Sequence, residues 1–141
     1  MIDEKYKDAM TLILSEDPRY DIQAYDFVNE ALTRTIEKIK KGRPPGQRHL
    51  TGAELLTGIL EFAVSQYGDL AAEVMEYWNL NRGSDVGNVV YNMIRHGIMC
   101  ASPEDKQEDF DCIESIPERL EITRLKSIKS ISSSSPPPKI M

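Results

Sequence analysis

Arg43, Arg48, His49 and Glu54 stand close together around a proline-stiffened stretch, Gly42-Arg43-Pro44-Pro45-Gly46-Gln47-Arg48-His49. An imidazole titrates near neutrality, so His49 beside the Glu54 carboxylate and the Arg48 guanidinium has the residue types for acid–base chemistry. The same stretch has the types for anion binding. Between positions 34 and 49, Arg34, Lys38, Lys40, Lys41, Arg43 and Arg48 face only Glu37, and guanidinium groups grip phosphate or carboxylate oxygens in pairs. A plainer structural account competes with each. Glu54 falls three positions after Thr51, where a helix capping box needs it. Lysines that end a helix answer its dipole. Neither a glycine-rich phosphate loop nor a Gly-Lys-Ser/Thr string is present.

Two further groups invite chemistry. His96 and Cys100 are four apart, a spacing that puts two metal ligands on one helical face, with Cys112 further along. A zinc site needs three or four ligands, no Cys-x-x-Cys occurs, and Gly97 breaks the helix between the pair. A helix-end imidazole and a buried thiol behaving as a small hydrophobe account for both. Trp78, the only tryptophan, ends an apolar stripe and is followed by Asn79, Asn81 and Arg82. It reads as core, or with Arg82 as an anchor at a partner surface, where both residue types are enriched.

The elements that position these residues are helices. Tyr6, Ala9, Met10, Ile13 and Leu14 recur at helical spacing and predict a helix over 3–14, ended by Pro18. Asp21 is placed to cap a second helix, with Tyr20 and Tyr25 as its hydrophobic staple. The inner stripe of that helix is Ile22, Tyr25, Val28, Leu32, Thr35, Ile36 and Ile39, and Gly42 is expected to close it. Thr51 and Glu54 open a third helix that Gly68 stops. A short fourth carries Ala71, Val74, Met75 and Trp78. A fifth runs from Ser84 or Asp85 to His96, and Ser102-Pro103 starts a short last helix reaching Phe110.

Beyond Asp111 the character changes. Ile122, Leu125, Ile128 and Ile131 recur every third position, and Ser132–Ser135 with Pro136–Pro138 form a low-complexity end. Charge alternates too. The stretch 104–118 is acidic and the residues from Arg119 onward are basic, which suggests that the tail folds back on the acidic stretch or on a partner. Over 141 residues the net charge is −6 with 40% hydrophobic residues, as expected of a soluble domain. The longest nearly apolar stretch, Leu55–Val64, contains Glu61 and is too short to span a bilayer. The opening Met-Ile-Asp-Glu-Lys lacks the build of a secretion signal, so a reducing cytoplasm is expected.

Several strings stand together in order: Asp17-Pro18-Arg19-Tyr20, Arg48-His49-Leu50-Thr51-Gly52 followed by Glu54-Leu55-Leu56, Trp78, Asp85-Val86-Gly87 with Val89-Val90, and Glu108-Asp109-Phe110. This series resembles a family of small uncharacterised proteins found mainly in planctomycetes and verrucomicrobia, over roughly residues 5–111. Two features depart from that pattern. The family tends to carry glycine after the tryptophan, where this chain has Asn79. It also continues past Glu-Asp-Phe with glycine and aromatic residues, where this chain has Asp111-Cys112-Ile113. The resemblance implies a domain boundary near 111 and brings no activity with it.

The sequence therefore predicts an all-α protein: a compact bundle of about five helices plus a short sixth over 1–111, and a disordered basic C-terminal tail over 112–141. A transient helix around 117–129 is allowed within the tail. The function it favours is a protein-interaction or adaptor module presenting Arg43, Arg48, His49, Trp78 and Arg82 to a protein partner. The alternative is a helix-turn-helix-like nucleic-acid-binding regulator using the basic Arg34–His49 segment or the tail. That reading suffers from the few cations on the expected recognition helix, Val86–His96. An enzyme would gather Arg48, His49 and Glu54. No cofactor, metal or membrane association is expected.

Overall fold

Caps fix where the helices begin. The computed structural model describes residues 4–47, 50–101 and 105–134. They form α1 (Glu4–Glu16), α2 (Ile22–Gly42), α3 (Gly52–Tyr67), α4 (Ala71–Tyr77), α5 (Gly83–Arg95) and α6 (Ile116–Ser134). Short 3-10 turns lie at Pro45–Gln47, Gly68–Leu70 and Gln107–Cys112, and no strand occurs among the described residues. The fold class is all-α, as expected. Asp21 caps α2 by accepting from the Gln23 N–H at 3.3 Å. Thr51 Oγ1 accepts from the Glu54 N–H at 3.1 Å while the Glu54 carboxylate accepts from the Thr51 N–H at 3.3 Å, completing the box.

Helix ends follow the sequence less closely. Gly42 stays inside α2, and the helix stops at Arg43, whose φ of −129° and ψ of 145° are extended. Pro44 is the cause, because a residue before proline is pushed out of the helical region. Gly68 does end α3, at a φ of 53°. After Trp78 the chain turns at Asn79 with φ 63°, a left-handed conformation that asparagine tolerates better than most side chains.

The core is continuous through all the elements and contains Met10, Tyr25, Phe27, Leu56, Ile59, Met75, Val86, Val89 and Met93. Phe27 was absent from the expected α2 stripe, whereas Ile22 at its start is exposed. Helix α5 sits innermost. One of its faces is polar and carries Asp85, Asn88, Asn92 and His96, which meet the corner between α1 and α2. The Tyr20 hydroxyl donates to Asp85 Oδ1 at 2.7 Å and accepts from Asn88 Nδ2 at 2.9 Å. Burial pushes the Tyr20 phenol up to about 12. Asp85 Oδ2 also accepts from the Asn81 and Arg82 N–H groups, each at 3.0 Å, and so caps α5. Buried Asn92 donates to the Tyr25 hydroxyl at 2.9 Å and to Asp17 Oδ2 at 3.0 Å. Arg19 grips the Asp17 carboxylate with two hydrogen bonds of 2.8 Å.

The opposite side of α5 and the first residue of α3 meet the Gln107–Cys112 turn at glycine contacts. A Cβ on Gly52 would lie 2.7 Å from Asp109 Cβ, and one on Gly87 would lie 3.0 Å from Phe110 Cβ; on Gly83 it would collide with the Phe110 carbonyl. The Gly83 N–H donates to the Ile113 carbonyl at 2.9 Å, and the Ile116 N–H to that of Asn81 at 2.9 Å. A short helix starting at Ser102-Pro103 was expected here. Residues 102–104 lie outside the described residues, and the segment that follows is a 3-10 turn. The Asp109 carboxylate accepts from the Lys106 N–H at 3.2 Å at its start.

The domain boundary expected at 111 moves. Ile113, Ile116 and Leu120 are buried in the common core, and α6 packs on α3 and α4. The expected helix at 117–129 is thus longer and docked. Its ion pairs also differ from the anticipated contact with 104–118: Arg124 reaches Asp69 at 3.4 Å and Glu121 at 2.6 Å. The end of the expected tail, residues 135–141, lies outside the described residues.

Two measurements check this framework. Gly83→Ala should lose about 1–3 kcal/mol, because backbone carbonyls rather than flexible side chains block the new methyl group. Gly42→Ala has nothing within 4 Å to meet and should be neutral or gain up to about 1 kcal/mol; urea unfolding of both variants reads the contrast. Hydrogen bonds from Arg19, then from Asn92, hold the Asp17 carboxyl well below the usual carboxylate range. A depressed folded pKa stabilises above the unfolded value, near about 3.9, and that stability is lost as pH falls. The Tm gap between the wild type and Asp17→Asn should therefore be full at neutral pH and narrow below about pH 4.

Candidate functional site

A large open concavity runs over the outer face of α3, with the C-terminal half of α2 as one wall and α6 as the other. Its volume is about 1190 Å³. Helices α2 and α3 touch at its base, where Gly58 gives Thr35 room that a Cβ would take. Thr35 turns its hydroxyl back to the Ala31 carbonyl at 2.7 Å, so this buried polar group is satisfied locally. The lining is more apolar than polar: Ile39, Phe62, Val64 and Ile122 stand beside the exposed Thr57, Glu61 and Ser65 of α3. Ile122 remains 46% exposed although it is a large aliphatic side chain.

The walls are basic. Arg34 and Lys38 line the α2 side, and Arg119 and Lys126 the α6 side. Arg34 bonds Glu30 on its own helix at 3.3 Å and lies over the Phe62 ring, 5.3 Å from its centroid. The Lys38 side chain is 80% exposed, with its Nζ 3.9 Å from Glu61, a surface pair of small energetic weight. At one end Arg43 and Glu54 form an ion pair. Glu54 thereby links the end of α2 to the first turn of α3. The hydrogen bond from Arg43, then that from the Thr51 N–H, lowers the pKa of its carboxyl.

Of the residues singled out in the sequence, Arg43 and Glu54 meet at this groove, and Arg48 and His49 lie outside the described residues. Glu54 is engaged by both Thr51 and Arg43, so the acid–base role considered for it would compete with structural work. Trp78 is not an exposed anchor. It is 8% exposed, with its ring centroid 5.2 Å from Phe27 and 6.0 Å from Tyr67, and its Nε1 donates to Gln23 Oε1 at 3.4 Å. An aromatic ring at the end of an apolar stripe buries more area in the core than a rim would allow. Arg82 is exposed but does not line the groove.

His96 Nε2 lies 2.9 Å from Glu16 Oε2, bridging the ends of α5 and α1. Gly97, at φ 77°, ends α5 between His96 and Cys100, so the two do not share a helical face. Cys100 and Cys112 are both exposed free thiols, which corrects the expected buried cysteine. No cluster of three metal-ligating side chains occurs among the described residues. The expected recognition helix corresponds to α5. Val86, Gly87, Val89, Val90, Asn92 and Met93 are all buried there, against α2 and the Gln107–Cys112 turn. It has no free flank of the kind a major-groove helix presents.

The groove-lining residues not singled out in the sequence are Arg119, Ile122, Thr123 and Lys126 as a set. Their spacing of three, four and seven positions is the signature of one helical face, obscured by the every-third-position apolar pattern that overlaps it. Among the described residues no helix is long and apolar enough to cross a membrane. No family model, curated protein or solved structure matches the chain, so the functional reading rests on the groove itself.

Proposed function

We propose that this protein is an interaction module that holds a protein partner in the groove over α3. The observation that carries the reading is convergence. Two basic segments far apart in sequence, one in α2 and one in α6, flank a groove whose lining includes the partly exposed apolar side chains of Ile39, Phe62, Val64 and Ile122. Partly exposed apolar area beside charged groups is the composition of a recognition surface. Like charges gathered on two walls cost free energy that nothing in the core requires. The proposed setting is the cytoplasm, since two exposed free thiols, Cys100 and Cys112, suit a reducing compartment.

A second reading uses the same cations to bind nucleic acid. It is favoured by the wall charges alone and opposed by Glu61 and Glu54 within the groove.

Photo-crosslinking inside cells separates the two. A photoreactive residue at Thr57 or Ser65, both exposed on α3 within the groove, should give the same discrete protein adduct. One at exposed Glu73 on α4 should not. The double reversal Lys38→Glu with Lys126→Glu should cut the adduct by about tenfold, because electrostatic complementarity governs encounter and register. Adducts that persist unchanged in the reversed chain, or that are nucleic acid, would remove the protein-partner reading.

A further inference from the structure

We infer that the groove takes an amphipathic α-helix of about a dozen residues with acidic flanks, donated by the partner. This rests on the interaction reading above and names its ligand. Length is the first constraint. The floor follows α3 from Ala53 to Ser65, about 18 Å at 1.5 Å per residue. A helix 10 Å across and that long occupies about 1400 Å³, comparable with the 1190 Å³ of the groove. A metabolite site is smaller, about 300–1,000 Å³, and has convergent polar groups. This groove is larger, and its lining is more apolar than polar.

Backbone chemistry is the second. An extended peptide binds by adding its hydrogen bonds to a sheet edge, and among the described residues there is no strand. A helix satisfies its own N–H and C=O groups and needs only apolar anchors. Ile39, Val64 and Ile122, contributed by three helices, line the groove to receive them.

Charge fixes the flanks. Arg34 and Lys38 stand on one side and Arg119 and Lys126 on the other, with Glu54 and Glu61 on α3 between them, so a ligand is matched when its carboxylates lie on its two edges and not along its centre. This chain's own residues 127–141 do not fit, since they hold Lys129 and Lys139 and no Asp or Glu. Single-stranded nucleic acid, which stacks its bases on open aromatic faces, finds the Phe62 ring already stacked on Phe27 at 5.5 Å and overlaid by Arg34.

The test uses fluorescence anisotropy of the full chain with a labelled synthetic helix of about 14 residues. This probe has leucines at i, i+3, i+4 and i+7 and glutamates on both flanks. Matched probes replace glutamate with lysine, break the helix with a central proline, or substitute a single-stranded DNA of the same length. The acidic helix should bind with micromolar affinity, about tenfold tighter than either altered peptide, and weaken as salt rises. Lys38→Glu with Arg119→Glu and Lys126→Glu should invert the preference toward the lysine peptide. The single variant Lys126→Glu gives a smaller shift in the same direction, and circular dichroism confirms that each variant is folded.

Equal binding of the acidic and basic helices, an unchanged preference in the reversed chain, or tighter binding of the DNA would overturn the inference. If the crosslinks from Thr57 still depend on the walls while the acidic helix fails to bind, the groove is an interaction site with a different occupant. In that case only this inference falls. Loss of both results removes the interaction reading as well.

Discussion

Two backbone hydrogen bonds, from the Gly83 N–H to the Ile113 carbonyl and from the Ile116 N–H to the Asn81 carbonyl, tie the entry of α5 to the entry of α6. Both depend on a missing side chain at Gly83, where a Cβ would strike the Phe110 carbonyl. The pair fixes where α6 starts. Ile116 and Leu120 then enter the core, and Arg119, Ile122 and Lys126 become a wall of the groove. The concavity over α3 is thus a consequence of a contact made at α5. The seam acts together with the packing of α6 on α3 and α4 to bring the two basic segments to either side of one groove.

Stability and recognition are separated within the molecule. The buried polar groups gather on the inner helix, where Asp85, Asn88 and Asn92 each find partners at the corner between α1 and α2. Buried polar groups that are fully paired specify one arrangement of neighbouring helices. Of the groove cations, Arg43 also fastens α2 to α3 through Glu54, whereas the exposed wall cations stand outside that network. Lys38 is mostly solvent-exposed and its nearest carboxylate is 3.9 Å away. An overall net charge of −6 therefore coexists with a local basic field that the core does not need, and the field can be altered without unmaking the fold.

Local chemistry was legible in the sequence and long-range contact was not. Asp21 before α2 and the Thr51–Glu54 box before α3 were readable, because a cap is decided by residues within one turn. Gly42 misled for the same reason, since the preference of glycine for helix ends was outweighed by Pro44 two positions on. A short helix reaching Phe110 and a transient one at 117–129 were expected, but the docking of the Gln107–Cys112 turn and of α6 was not legible, because partners such as Gly52, Gly83 and Gly87 are distant in sequence. A glycine in a string says that backbone comes close without saying which backbone. Trp78 was ambiguous for a related reason. Its polar neighbours Asn79 and Asn81 suggest a rim, and only the positions of Phe27 and Tyr67 show that the ring is enclosed.

The geometry of α6 explains why its periodicity looked poor. At about 100° per residue, Ile116 and Leu120 point within about 40° of each other and define the buried face. Arg119, Ile122, Thr123 and Lys126 fill an adjacent arc of about 100°, centred roughly a quarter turn away. Ile122 lies about 160° from Leu120 around the axis, so no rotation of the helix buries both against one surface. Leu125, about 180° from Ile116 and exposed, lies on neither face, so the every-third-position pattern marks no single buried stripe. Leaving Ile122 half-exposed forgoes hydrophobic stabilisation of about 25 cal/mol per Å². That loss is consistent with a face shaped for a partner's apolar side chains rather than for this chain's own core.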